Sequence, residues 1–128
     1  MKPSTREWIK KAESDYQAAL ALSRRRKIPF HDEACFHCQQ SAEKYLKARL
    51  EEANIRCPRT HDLDKLLSLL LPVEPLWAAL LPALLRLNDY AVGFRYPGHE
   101  ATAQDVQIAR LDARAVRKEA RLALGFPV

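Results

Sequence analysis

Arg95 and Tyr96, in the stretch FRYPGHE, form the chain's most concentrated pairing of charge and aromatic surface. A guanidinium beside a flat ring and a rigid Pro-Gly turn offers a charged fork and a stacking face in one place, which suits a nucleotide or a phosphate. The same arginine can instead lock the loop to a helix C-terminus or to an acidic neighbour such as Asp89. His37, Gln40, Lys44 and Lys47 follow one another at steps of three, four and three, so on a helix they make a polar stripe. A polar ligand can bind such a stripe; otherwise its lysines face water while Gln40 and His37 bond to neighbouring helices. Cys35 and Cys38 make a CxxC near a predicted helix start, where a thiolate is stabilised. Neither a βαβ pattern nor a second CxxC nor a closing histidine pair accompanies it. The two thiols therefore read as small buried hydrophobes, and neither a metal nor a cofactor is expected. Near the end, Arg110, Arg114, Arg117 and Arg121, with Lys118 alongside, make a basic stripe opposite a core face. That stripe suits RNA, an acidic partner or plain solvent, although Asp112 and Glu119 dilute it and no aromatic is interleaved for base stacking. His61 and Asp62 stand where a helix begins, and the expected role of His61 is a bond to backbone.

The elements that must position these groups are helical almost throughout. Ser4 with Glu7 has capping-box spacing, and Trp8, Ala12, Tyr16, Ala19 and Leu20 share one face of a first helix that should stop near Arg24, before Pro29. The run Arg24 to Lys27 then lies where a helix C-terminus attracts cations and reads as a solvated helix end, the alternative being a phosphate contact. A second helix is predicted from a cap at Asp32 to about Asn54, its core face being Cys35, Cys38, Ala42, Leu46, Leu50 and Ala53, with Glu43 and Lys47 paired one turn apart. A third opens at Thr60, turns Leu63, Leu66, Leu67 and Leu70 inward and closes at Pro72. Pro75 and Pro82 divide the leucine-rich stretch 73–90 into a short piece and a restart with Pro82 in its first turn. Residues 91–101 form a loop, after which Thr102 caps a long helix with the stripe Val106, Ala109, Ala113, Val116 and Ala120, ending at Gly125. The prediction is thus an all-α fold, an antiparallel up-and-down helical bundle of four main helices plus a short extra helix.

With 128 residues, 48% of them hydrophobic, the chain can bury one core, and a single domain over residues 1–128 is expected. No apolar run approaches the roughly 20 residues that cross a bilayer, and the opening residues lack the apolar segment of a secretion signal, so the expectation is a cytoplasmic protein without membrane attachment. Three cysteines, an odd number, point to free thiols. A net charge of +5 permits association with phosphates or acidic proteins without requiring it.

The stretch CFHCQQSAEKYLKARL at Cys35–Leu50, THDL at Thr60–Leu63 and RYPG at Arg95–Gly98, preceded by AESDYQAAL and followed by a long last helix, resembles the HEPN family over residues from Ala12 to about Ala120. The resemblance implies a helical bundle that dimerises across a two-fold axis and is often encoded beside a minimal nucleotidyltransferase. A surplus of apolar side chains at Leu76, Trp77, Leu80, Leu81, Leu84 and Leu85 agrees with a homodimer, the alternative being a helix buried within the monomer. In the family's ribonucleases an arginine is followed, after a longer gap than here, by a histidine on the same helix. The histidine moves protons at the attacking 2'-hydroxyl and the leaving 5'-oxygen while the guanidinium stabilises phosphate charge. Arg95 and His99 are the matching residues, but Pro97 and Gly98 lie between them and break helical registry. The chain resembles the RYP-type branch more closely. The expected function is accordingly a non-catalytic partner, or a nucleotide- or substrate-binding subunit, of a small nucleotidyltransferase. Ligand-binding candidates are Arg95, Tyr96, His37, Gln40, Lys44 and Lys47. The alternatives are a metal-independent ribonuclease toxin of a toxin–antitoxin pair, using Arg95 and His99 on RNA, and a dimeric interaction module with no ligand.

Overall fold

The computed structural model describes residues 1–91 and 97–128. Five α-helices carry the fold: α1 (Pro3–Ser23), α2 (His31–Glu52), α3 (Leu63–Leu70), α4 (Leu81–Leu87) and α5 (Ala103–Ala123), with 3₁₀ turns at Pro75–Leu80 and Asn88–Tyr90. No strand occurs among the described residues. Pro75 and Pro82 both sit in the first turn of their segments, where a missing N–H costs nothing.

Side-chain contacts give the directions of the long helices. Lys2 and Thr5 meet Glu52, and Glu13 meets Tyr45, so α1 and α2 are antiparallel. Asp32 meets Ala101 and Tyr45 meets Arg121, so α5 runs parallel to α2 and antiparallel to α1. All four inward leucines predicted on α3 and the whole predicted stripe of α5 are buried. On α1, Thr5 and Ile9 are buried while Trp8 and Leu20 lie at the margin. Helix α2 is central: besides its predicted face it buries Gln39, Ser41, Glu43, Tyr45 and Ala48, because α1 and α5 pack on it from different sides, whereas Ala53 is only half-buried.

Several helix starts differ from expectation, and each difference has a local cause. Ser4 does not cap α1; its hydroxyl donates to Glu51 at 2.8 Å, and Lys2 occupies the cap position. Helix α2 starts at His31, one residue before Asp32, whose carboxylate is taken by the amide of Ala101 at 2.7 Å. Asp32 thus fastens the entry of α5 instead of capping its own helix. Thr60 makes a local turn, accepting from the amide of Asp62, and α3 begins at Leu63. The cap for α3 comes from a distant residue: Asn88 accepts from the Leu63 amide at 2.9 Å and donates to Asp64 at 2.9 Å, which ties the end of α4 to the start of α3. The Thr102 cap is present as a full capping box with Asp105. Helix α5 closes as predicted at Gly125, whose φ of +79° lets the Phe126 amide reach the Arg121 carbonyl at 2.8 Å. Asn54, at φ +60°, ends α2 with the same bond pattern.

Candidate functional site

The antiparallel pairing of α1 and α2 converts the polar stripe of α2 into a network. His37 Nδ1 lies 2.8 Å from Asp15 Oδ1, and Lys44 Nζ binds the other oxygen of the same carboxylate. Lys47 donates to Glu43 at 3.0 Å and stands 5.6 Å from the ring centre of Trp8. Gln40 donates to the side-chain oxygen of buried Gln39 at 2.7 Å. All four predicted stripe residues are therefore brought together on one face, and each has a protein partner.

Glu43 is the hub of the second half of this network, with only 4% of its side chain exposed. It accepts from Gln39 at 3.1 Å and from Lys47, and lies 2.9 Å from His61 Nδ1. Burial alone pushes its pKa up, but the bonds from His61, Lys47 and Gln39 together outweigh burial and hold it below the ordinary carboxylate value. His61 consequently does not use its ring on backbone as expected. A buried carboxylate requires donors, and the imidazole supplies one, while the His61 carbonyl accepts from Gln39 at 3.4 Å. His61 thus holds the buried carboxylate through Nδ1 while 67% of its side chain stays exposed.

A parallel hub lies at Glu13. Arg117 grips it with two bonds of 2.7 and 3.0 Å, Tyr45 donates at 2.7 Å and Gln17 at 3.1 Å. Burial raises the pKa of Glu13, and these bonds, led by that of Arg117, override burial and bring it down to about 2. Tyr45, fully buried and facing that carboxylate, is pushed up to about 12. Arg121 donates to the Tyr45 hydroxyl at 3.2 Å and also bonds the Pro127 carbonyl. The predicted basic stripe of α5 is thereby divided, because Arg117 and Arg121 turn toward α1 and are not a solvated face.

Arg95 and Tyr96 lie outside the described residues. His99 is exposed, on non-helical backbone between Gly98, at φ +87°, and the Thr102 cap. Cys35 and Cys38 are buried in the core, as expected, and burial pushes the Cys38 thiol up to about 12, which opposes thiolate chemistry. Among the described residues no group of three or more His, Cys, Asp or Glu is arranged to hold a metal ion. No helix among them is long and apolar enough to cross a membrane. The sequence reading missed Glu13, Asp15 and Gln39 as network members and saw Glu43 only as a helix-surface partner of Lys47. Two carboxylates in ESD, at Glu13 and Asp15, were the available signal.

Three long helices, with α2 at the centre and the Glu13 hub joining all three, form the helical bundle of the described residues. The HEPN domain model matches residues 5–122, and the chain belongs to the HEPN family. The crystal structure of an archaeal HEPN homologue superposes with a TM-score of 0.76 at 24% identity, covering 96% of this chain and 98% of the other, which supports the bundle as a fold. No curated protein matches the chain.

Proposed function

We propose that this protein is a non-catalytic HEPN-domain subunit, the partner or nucleotide-binding component of a small nucleotidyltransferase. The observation that carries this reading is the position of His99. It follows a left-handed glycine turn and precedes a helix cap, so it belongs to no helix on which an arginine can stand one turn away. The protonic half of the ribonuclease pair thus lacks the rigid scaffold that in-line attack on a phosphodiester requires. Incubation with structured and single-stranded RNA in the presence of a chelator should leave the RNA intact. Cleavage by the wild type that is lost in His99→Ala would instead establish the toxin alternative. Arg95 and Tyr96 remain the proposed ligand contacts of the loop, and Arg95→Ala should weaken nucleotide or partner binding by about 1 to 3 kcal/mol.

A second feature favours self-association. The leucine-rich segment divides into Trp77, Leu80 and Leu84, which are buried, and Leu76, Leu81 and Leu85, which are exposed, Leu76 by 88% and Leu85 by 49%. With Leu67 of α3 and Leu71 just after it, Leu81 and Leu85 line a groove of about 340 Å³. A monomer gains nothing by exposing this apolar face, and a second copy of the chain is the proposed cover. Light scattering on the wild type should give a dimer mass, and the double variant Leu76→Lys, Leu85→Lys a folded monomer.

A further inference from the structure

Between the C-terminal end of α1 and the first two turns of α5 lies a polar cavity of about 300 Å³ lined by Ser23, Arg24, Ala103, Val106, Gln107 and Arg110. Several arginines of the helices are engaged within the protein. Arg49 is bonded to Glu74, Arg86 to Asp112 and Arg117 to Glu13, and Arg121 to Tyr45. Arg110 is half-buried, and among the described residues it has no hydrogen-bond or ion-pair partner; Arg24 is exposed and equally unpaired. Burying Arg110 part-way without supplying an acceptor is unfavourable, and exposed Arg24 lines the same polar cavity, so an anion there would meet two cations.

We propose that this cavity binds the phosphate group of a small phosphorylated ligand, with Arg110 as the primary contact and Arg24 as the second. Three observations set the ligand class. The volume stands at the lower limit of small-molecule pockets, too small for a length of nucleic acid to be enclosed. Among the described residues the lining contains no aromatic side chain on which a base would stack, which favours recognition of the anion itself. The α5 capping box consumes the amides of Thr102 and Asp105, leaving those of Ala103 and Gln104 at the positive end of a 21-residue helix beside the cavity. Two features oppose the anion. The Asp105 carboxylate lies in the same turn but is held on the Thr102 amide at 2.9 Å, and the last carbonyls of α1 are partly covered by the amides of Arg24 and Arg25. Arg26 and Lys27 follow directly and add positive charge, while Arg25 is occupied over the ring of Phe30 at 4.9 Å.

Arg95 is the proposed ligand contact of the other reading, and the test distinguishes the two. The full chain is titrated calorimetrically, at low salt, with inorganic phosphate, AMP and ADP in turn. Saturable binding at one site per chain is expected, weakened roughly tenfold or more by Arg110→Gln and by Arg24→Gln, less by Arg110→Lys, which keeps charge but loses the fork. Arg114→Gln, on the exposed side of α5, should leave it unchanged. Equal affinity for phosphate and AMP identifies a bare phosphate site; tighter AMP or ADP binding identifies a nucleotide. Binding that survives Arg110→Gln but disappears in Arg95→Ala would overturn the proposal and place the phosphate at the loop. So would the absence of saturable binding for all three probes. Thermal unfolding of each variant guards against a trivial loss of fold, and Arg110→Lys retains the test if Arg110→Gln does not fold.

Discussion

The two halves of α5 carry arginines at the same helical spacing and do opposite things with them. In the C-terminal half, Arg117 and Arg121 are spent on Glu13, Tyr45 and a backbone carbonyl, locking α5 against α1 and α2. In the N-terminal half, Arg110 is half-buried with no acceptor, and Arg114, near the middle of the helix, is exposed. The difference lies in what α1 presents. Opposite Arg117 stands Glu13, in the middle of α1, whereas the part of α1 facing Arg110 is its C-terminal end, where the sequence supplies Ser23 and Arg24. A regular stripe of charge is therefore uninformative about role until the facing helix is known. One half is a fastening, the other an opening.

Removing the acceptor of the fastening should have the largest effect. Glu13→Ala leaves Arg117, Arg121 and the Tyr45 hydroxyl without their shared carboxylate, and should cost about 2 to 3 kcal/mol in chemical denaturation. Arg110→Gln, at the same helix spacing, should change stability by no more than about 0.5 kcal/mol, because it breaks no bond within the protein. Equal losses for the two variants would break the comparison.

Acid sharpens it further. Glu13 titrates near 2 in the folded chain against an ordinary 4.5, so the folded state holds fewer protons on this group than the unfolded one between those values. The resulting stability is fully present above about pH 4.5 and is lost as pH falls from there through 2. Glu43, also held below its ordinary value, contributes in the same direction. After discounting for the partial exposure of Glu13, the loss should be on the order of 2 kcal/mol, and Glu13→Gln should flatten most of that acid limb when unfolding is followed against pH. Glu43→Gln should cost about 1 to 2 kcal/mol at neutral pH, since an amide cannot accept from Gln39, Lys47 and His61 together.

Much of this architecture was legible from periodicity. The core stripe of α5, all four inward leucines of α3, the proline-started segments and the Gly125 terminus follow from spacing and from backbone chemistry at single residues, which need only local information. Local motifs failed where a tertiary partner outbid them. Ser4 went to Glu51, Asp32 to Ala101, and α3 took its cap from Asn88, so the sequence spacing that suggested self-capping was overridden by contacts 25 to 69 residues away. The site was legible only in part. His37, Gln40, Lys44 and Lys47 do share a face, but the carboxylates that neutralise them stand on another turn or another helix. A single-helix reading cannot say that Asp15 faces His37. Burial of Glu43 and Gln39 was hidden for the same reason, since a helix packed on two sides exposes fewer polar positions than its hydrophobic stripe suggests.

The smallest expected difference, that between variants at the two ends of α5, concerns how its open half is held. With Arg110 contributing no bond to the bundle, the start of the helix relies on the Thr102–Asp105 capping box and on the bond from the Ala101 amide to Asp32. Thr102→Ala removes one reciprocal pair and should cost about 1 kcal/mol, the ordinary value for losing a threonine cap. Gly125→Ala at the other end meets no neighbouring atom, so its penalty is only that of a left-handed φ in an alanine, about 1 kcal/mol. Global stability should barely tell the two variants apart. Hydrogen exchange should, because the C-terminal turn stays fastened through Arg117 and Arg121 whereas the N-terminal turn has lost one of its few attachments. Thr102→Ala is expected to speed exchange at the amides of Val106 and Gln107 well beyond what the global change explains, and Gly125→Ala to leave the amides of the last turns near the global limit. Uniform acceleration in both would mean that α5 opens as one unit, and that the contrast between its halves is electrostatic without being mechanical.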